Sequence, residues 1–213
     1  MKKKSIKLNF VMNIILTMSS FIFPLITFPY VSRVLLPVGT GKVSMATSVI
    51  TYFSMFAQLG IPTYGIRACA KVRDNREKLS KVAQELLIIN IIMSMISYMV
   101  LIILLFYVPK FRCEKELYVI LSFTIIILTS IGMEWLYKAL EQYTYITVRS
   151  VIFKFIALIF MFFLVHKQTD YVIYGGITIF AASASNILNL INAHKFINLK
   201  PVGNYNFRRH LKP

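Results

Sequence analysis

The feature that most constrains this chain is a run of 25 residues, 8–32, without a single charged side chain. As a helix it would rise about 37 Å, more than the ~30 Å hydrocarbon core of a bilayer. It follows a basic opening, MKKKSIK. It is nevertheless too long for the apolar core of a signal peptide, and no A-x-A cleavage site closes it. It therefore reads as an uncleaved membrane span. Five more stretches reach the roughly 17–25 mainly apolar residues a span needs: 43–66, 86–108, 117–140, 148–165 and 171–193. The fifth has the shortest unbroken apolar core, 155–165, because Arg149 and Lys154 interrupt it. The expected fold is an all-α, polytopic membrane helix bundle of about six transmembrane helices. Residues 1–197 form one six-helix lobe, and 198–213 form a basic cytoplasmic tail or the start of a connection.

Only 15% of the residues are charged, against about 25% in soluble domains. The net charge of +16 would suggest nucleic acid in a soluble protein. Here the basic residues lie between apolar runs, so no nucleic-acid partner is expected and the excess is topological. Seventeen Lys and Arg fall on one side of the expected spans and six on the other, with Lys154 left inside a span. By the positive-inside rule the richer side, which holds both termini, is cytoplasmic. Cys69 and Cys113 fall on opposite sides, so no disulfide is expected. Trp135, Tyr137, Tyr143 and Tyr145 cluster as an interfacial aromatic belt would.

The connections are short. Residues 36–42 read as a Gly/Pro turn, and Asp74-Asn-Arg-Glu77 has capping-box spacing ahead of the third span. Asp170 is placed to cap the sixth. Pro24, Pro29 and Pro62 should kink or end the helices that hold them.

Polar residues recur at helical spacing within the spans: Asn9, Asn13, Thr17 and Ser20; Thr47, Thr51, Ser54 and Gln58; Asn90, Ser94 and Ser97; Asn186, Asn189 and Asn192. Each set lies on one face, and lipid would leave such groups unsatisfied. They face either other helices or a shared polar cavity. The ionisable residues in or beside the spans are Glu134, Lys138, Glu141, Arg149 and Lys154. Burying a charge in a bilayer costs at least a few kcal/mol. Interfacial ion pairing is one reading of the group, with Glu134–Lys138 at i, i+4 its simplest pair. An anion- or proton-handling patch at the mouth of a cavity is the other. Nothing points to catalysis, a cofactor or a metal. His166, His194 and His210 sit in loops or at helix ends, and there is no H-E-x-x-H, phosphate loop or nucleophile with a visible base.

Four segments carry a family resemblance: Phe28-Pro-Tyr-Val-Ser-Arg-Val-Leu35 with Gly39-Thr-Gly41, Leu59-Gly-Ile-Pro-Thr-Tyr-Gly-Ile-Arg67, Glu134-Trp-Leu-Tyr-Lys-Ala-Leu-Glu141-Gln-Tyr, and Asp170-Tyr171. In this order they resemble Wzx-type oligosaccharide flippases, the polysaccharide-transport members of the multidrug/oligosaccharidyl-lipid/polysaccharide exporter superfamily. Leu36 departs from the pattern, which usually has Gly there. Lys138-Ala139 departs too, where Gln-Gly is more typical. The resemblance implies a protein that is not an enzyme. It would move an undecaprenyl-diphosphate-linked repeat unit across the bacterial plasma membrane by alternating access, in the making of capsule, O-antigen or exopolysaccharide. It implies two helix bundles around a cationic cavity, of which this chain supplies the N-terminal lobe and lacks a second six-helix lobe. The expected partners are the lipid-linked oligosaccharide and membrane lipids. The basic residues expected to meet the diphosphate are Arg33, Arg67, Arg149 and Lys154, with Glu134 and Lys138 as a coupling or ion pair. The other readings are a small-molecule exporter of the same superfamily, which calls for an acidic residue deep in the bundle, and an inactive truncated membrane protein.

Overall fold

A computed structural model describes residues 5–203 and 205–210. These residues form helices and the turns between them. The order is α1 (Ile6–Gln58), α2 (Ile61–Lys71), α3 (Arg76–Tyr107), α4 (Pro109–Arg112), α5 (Lys115–Ser122), α6 (Thr129–Ile131), α7 (Glu134–Ala139), α8 (Tyr143–Leu164), α9 (Tyr171–Ile179) and α10 (Ser185–Asn192). π-helical segments, Phe123–Leu128 and Phe180–Ala184, join α5 to α6 and α9 to α10. Four helical runs are long and apolar enough to cross a bilayer: Ile6–Lys71, Arg76–Tyr107, Lys115–Ala139 and Tyr143–Leu164. This is an all-α membrane helix bundle.

The first run is a hairpin. Leu36 leaves the helix, at φ 58° and ψ 174°. Pro37 disfavours a helical conformation for the residue before it, which puts the break there. Pro24 and Pro29, by contrast, pass without one. The expected turn over 36–42 thus shrinks to a single residue. The limb 6–35 runs parallel to α8. Thr147 Oγ1 donates to the Met12 carbonyl, Lys154 Nζ to Ser19 Oγ and Tyr30 OH to the Val165 carbonyl. All three pairs are 135 residues apart. The limb 37–58 returns beside α3, where Ser97 Oγ donates to the Phe53 carbonyl at 2.8 Å. Such interhelical bonds contribute about 0.6–2 kcal/mol each in a membrane.

The second expected span ends early. Leu59 (φ 43°) and Gly60 (φ 72°) turn the chain, and α2 begins anew with Pro62 in its first turn. The fourth is interrupted at Met133 (φ 45°), so Glu134 starts a separate short helix. The N-cap of α3 is Asn75, whose Oδ1 accepts the Lys78 N–H, and not Asp74. Asp170 also acts differently from expectation. Its carboxylate accepts the N–H groups of His166 and Lys167, which lie before it. Those bonds hold its pKa below the ordinary aspartate value. The aromatic belt needs correcting as well. Trp135 and Tyr137 are buried inside the bundle, Trp135 against Gly65 and Tyr137 donating to the Asn189 carbonyl.

The bundle has two ends. One gathers residues 39–42, 108–114 and 165–171. Lys42 Nζ there lies 2.6 Å from Glu114 Oε1, and Tyr171 OH donates to Glu114 Oε2 at 2.7 Å. Burial alone would raise the Glu114 pKa, but the bonds from Lys42 and Tyr171 outweigh it and hold the carboxyl below its ordinary value. The other end gathers 59–85, 133–149, 186–203 and 205–210, with most of the described Lys and Arg. Cys69 lies at this end and Cys113 at the opposite one, both as free thiols.

The four segments of the resemblance meet in pairs. Gly39 lies against Leu35, Tyr171 and the Gln168 carbonyl at one end. At the other, Gly65 lies so near Trp135 that a Cβ would come within 2.9 Å of the indole. These motifs are therefore packing motifs first. Leu36 also gains a meaning. Its φ and ψ belong to a region that only glycine enters freely, at a cost of about 1–3 kcal/mol for other residues. Leu36→Gly is expected to stabilise the chain by about 1 kcal/mol, because the leucine side chain is half exposed and loses little packing. Thermal unfolding in detergent reads this directly. An unchanged or lower midpoint would refute the strain.

Candidate functional site

Among the described residues, Glu134, Lys138 and Arg149 come together at the basic end of α8. Arg149 sits in the second turn of that helix, about 9 Å along its axis from Tyr143. Its side chain is 3% exposed. Nε, Nη1 and Nη2 all lack a hydrogen-bond partner. The nearest carboxylate oxygen, Glu134 Oε2, is 3.9 Å from Nη2, and the guanidinium carbon lies 5.7 Å from the Tyr145 ring centre. Tyr145 in turn stacks on Tyr137 at 5.2 Å. Glu134 is held elsewhere, since its Oε1 pairs with Lys138 Nζ at 2.8 Å. Glu141 is turned away at φ 55° and pairs with Arg73 at 2.7 Å. The guanidinium is thus buried beside a carboxylate that another cation already occupies.

Arg149 lines an open cleft of about 510 Å³ between α8 and Leu188 of α10, which is walled by Tyr145, Val148, Ile152 and Phe153. Thr144 Oγ1, in the same wall, is a second buried polar atom without a partner. Buried polar groups are almost always hydrogen-bonded. A buried cation without hydrogen bonds costs several kcal/mol. A planar guanidinium suits an anion that offers two acceptor oxygens, such as a phosphate, which it binds through two parallel bonds.

Lys154 lies five residues further along α8, between that helix and the limb 6–35. Its Nζ donates to Ser19 Oγ and Ser20 Oγ, each at 2.9 Å, and among the described residues no carboxylate lies within 4.0 Å of it. Arg33 and Arg67 stand apart from this cluster. Arg33 is exposed near the opposite end, and Arg67 is exposed on α2, where neighbouring Gly65 and Cys69 face inward. Arg33 and Arg67 therefore flank packing contacts, while Arg149 and Lys154, the two inside a span, each line a cavity of their own.

The polar stripes divide. Asn90, Ser94 and Ser97 of α3 and Asn186 and Asn189 of α10 are buried in helix packing. Asn90 Nδ2 donates to the Ser130 carbonyl at 2.9 Å, and Ser94 and Ser130 share a hydroxyl hydrogen bond. Asn13, Thr17 and Ser20 are exposed on the limb 6–35, and Thr51 is exposed on the limb 37–58. One residue escaped the sequence reading: Glu85, fully buried and bonded to Arg209 and His210. It stands one residue before an apolar run, where it reads as a flank. The partnership of Lys154 with Ser19 and Ser20 was equally hidden, because nothing local registers a contact across 135 residues.

The comparisons with known proteins follow this geometry. Residues 6–212 match the family model described as "Polysaccharide biosynthesis protein". The chain belongs to that family. Over 212 residues it is 24% identical to a protein of Escherichia coli (strain K12) named "Putative O-antigen transporter". That match covers 98% of this chain and 51% of the relative, so the chain spans about half the length of the curated relative it matches. No solved structure matches it. As a member of the polysaccharide biosynthesis family with apolar helices of membrane-crossing length, it is a multi-pass membrane protein.

Proposed function

We propose that this chain is the N-terminal lobe of a flippase that carries lipid-linked oligosaccharide repeat units across the bacterial plasma membrane for polysaccharide assembly. Both termini face the cytoplasm in this reading, and a second helical lobe, beyond this half-length match, completes the cavity. The observation that carries it is Arg149, a buried guanidinium without a hydrogen bond, on a residue that lines a cleft at the basic end of the bundle. A lipid-linked sugar is joined through phosphate, and Arg149 is the group here best prepared for one. Glu134 would orient the guanidinium and release it, since the 3.9 Å contact is too long for a hydrogen bond. The exposed polar stripe Asn13, Thr17 and Ser20 would face the shared cavity and meet sugar hydroxyls. The exporter alternative finds less support. Glu134 is half exposed and paired to Lys138, and the deeply buried Glu85 is fully engaged by its partners.

The test is binding of a polyprenyl diphosphate to the purified full chain in nanodiscs. Charge-assisted hydrogen bonds contribute about 1.5–3 kcal/mol, so Arg149→Gln should weaken binding about 10- to 100-fold. Arg149→Lys should recover only part, because an ammonium cannot form the double contact. Equal binding by wild type and Arg149→Gln would sink the assignment.

A further inference from the structure

The limb 6–35 and α8 enclose a second cavity, separate from the Arg149 cleft. It measures about 340 Å³ and is lined by Ile15, Met18, Ile22, Phe23, Phe155 and Leu158, with Ser19 and Lys154 supplying its polar edge. We infer that this groove holds the single apolar chain of a phosphorylated lipid in transit, with Lys154 as the contact for its phosphate. The inference rests on the flippase reading and names where in this lobe the lipid part of the cargo lies.

Three observations carry it. The first is charge. Lys154 is bonded only to two serine hydroxyls, and among the described residues no carboxylate lies within 4.0 Å. A lone ammonium inside a span is unfavourable by at least a few kcal/mol, and an anion beside it removes that cost. The second is depth. α8 has 22 residues, about 33 Å of helix, and Lys154 stands about 16 Å from either end. Ser19 is likewise near the middle of the limb 6–35. The two serines hold the ammonium at this level, so it does not extend to either surface. Bulk phospholipids keep their phosphates at the surfaces of the ~30 Å core. A phosphate at mid-depth belongs to a lipid being moved. The third is size. The groove is at the small end of the roughly 300–1,000 Å³ range of ligand sites. It lies between only two helices and is lined almost wholly by apolar side chains, which suits a stretch of one apolar chain.

Photocrosslinking tests this on the full chain. Benzoylphenylalanine replaces Ile22 in the groove, Leu188 beside Arg149, or Ile92 on the exposed face of α3 as a control. Each protein is placed in phosphatidylethanolamine vesicles containing either polyprenyl phosphate or phosphatidylglycerol. The expected result at Ile22 is labelling by polyprenyl phosphate at least tenfold above phosphatidylglycerol. It should fall to the Ile92 level with Lys154→Gln and return with Lys154→Arg. Equal labelling by the two lipids, or labelling indifferent to Lys154→Gln, overturns the groove. Selective labelling at Leu188 but not Ile22 overturns it too, while leaving the flippase reading standing. Absence of selective labelling at both sites overturns the flippase reading itself.

Discussion

Replacing Glu85 by alanine will free residues 205–210 from the bundle. Glu85 is 0% exposed, yet it carries a charge-compensated set of bonds. Its Oε1 accepts the Asn206 N–H at 2.8 Å. Its Oε2 accepts from Arg209 Nε at 2.7 Å and from Arg209 Nη2, and lies 2.7 Å from His210 Nε2. Gln84 beside it donates to the Lys200 carbonyl and accepts from the Tyr205 hydroxyl. His210 also meets the Tyr64 hydroxyl on α2. The segment after α10 is thus strapped across α2 and α3, its first part by Ser80 and Gln84 and its last by the buried Glu85 carboxylate. Removing one member of a buried ion pair costs about 3–5 kcal/mol. Arg209 is 38% exposed and can turn to water, so about 3 kcal/mol is expected here, near the low end of that range. That corresponds to roughly a 100-fold rise in the open strap. Chymotrypsin should then cut after Tyr205 about 100-fold faster in the variant, provided strap opening equilibrates before cleavage. Glu85→Gln, which keeps an acceptor for Asn206, should lie between the two. Cleavage at the wild-type rate would show that the strap is held by something else.

Gly132→Ala should be as damaging inside the bundle. Gly132 follows α6 and sits directly against Asn186 of α10. An added Cβ would fall far inside contact distance of Asn186 Cγ, and 2.7 Å from its Oδ1. It would crowd the Asn186 Cβ as well, so a change of rotamer cannot relieve it and α10 must move. Overpacking costs about 1–3 kcal/mol where side chains can adjust, and about 3 kcal/mol is expected where a helix must shift. The reciprocal swap, Gly132→Ala with Asn186→Gly, should recover most of the loss despite about 1 kcal/mol for glycine within a helix. Unfolding midpoints of the four proteins in detergent form the cycle. A Gly132→Ala protein as stable as wild type, or a swap no better than the single change, would contradict the packing.

Much of this was legible before any coordinates. Uncharged runs longer than the hydrocarbon core admit few structures besides membrane helices, because only a helix satisfies its own backbone in lipid. The all-α class, the grouping of basic residues and the isolation of Arg149 and Lys154 inside a span follow from that. The boundaries did not, because they depend on single backbone conformations. Leu36, Leu59 and Met133 carry positive φ, and none of the three has the glycine that would announce it.

The sequence by itself determined that this chain lives in a membrane, and which charges must find a reason to be there. Hydropathy is local, so it can be read residue by residue. Only the tertiary structure decided what those charges meet. Arg149 meets an already paired Glu134, Lys154 meets two serines 135 residues away, and Glu85 meets the end of the chain. Side-chain partnership depends on which helices lie together and in what register, and that is settled by the packing of the whole bundle.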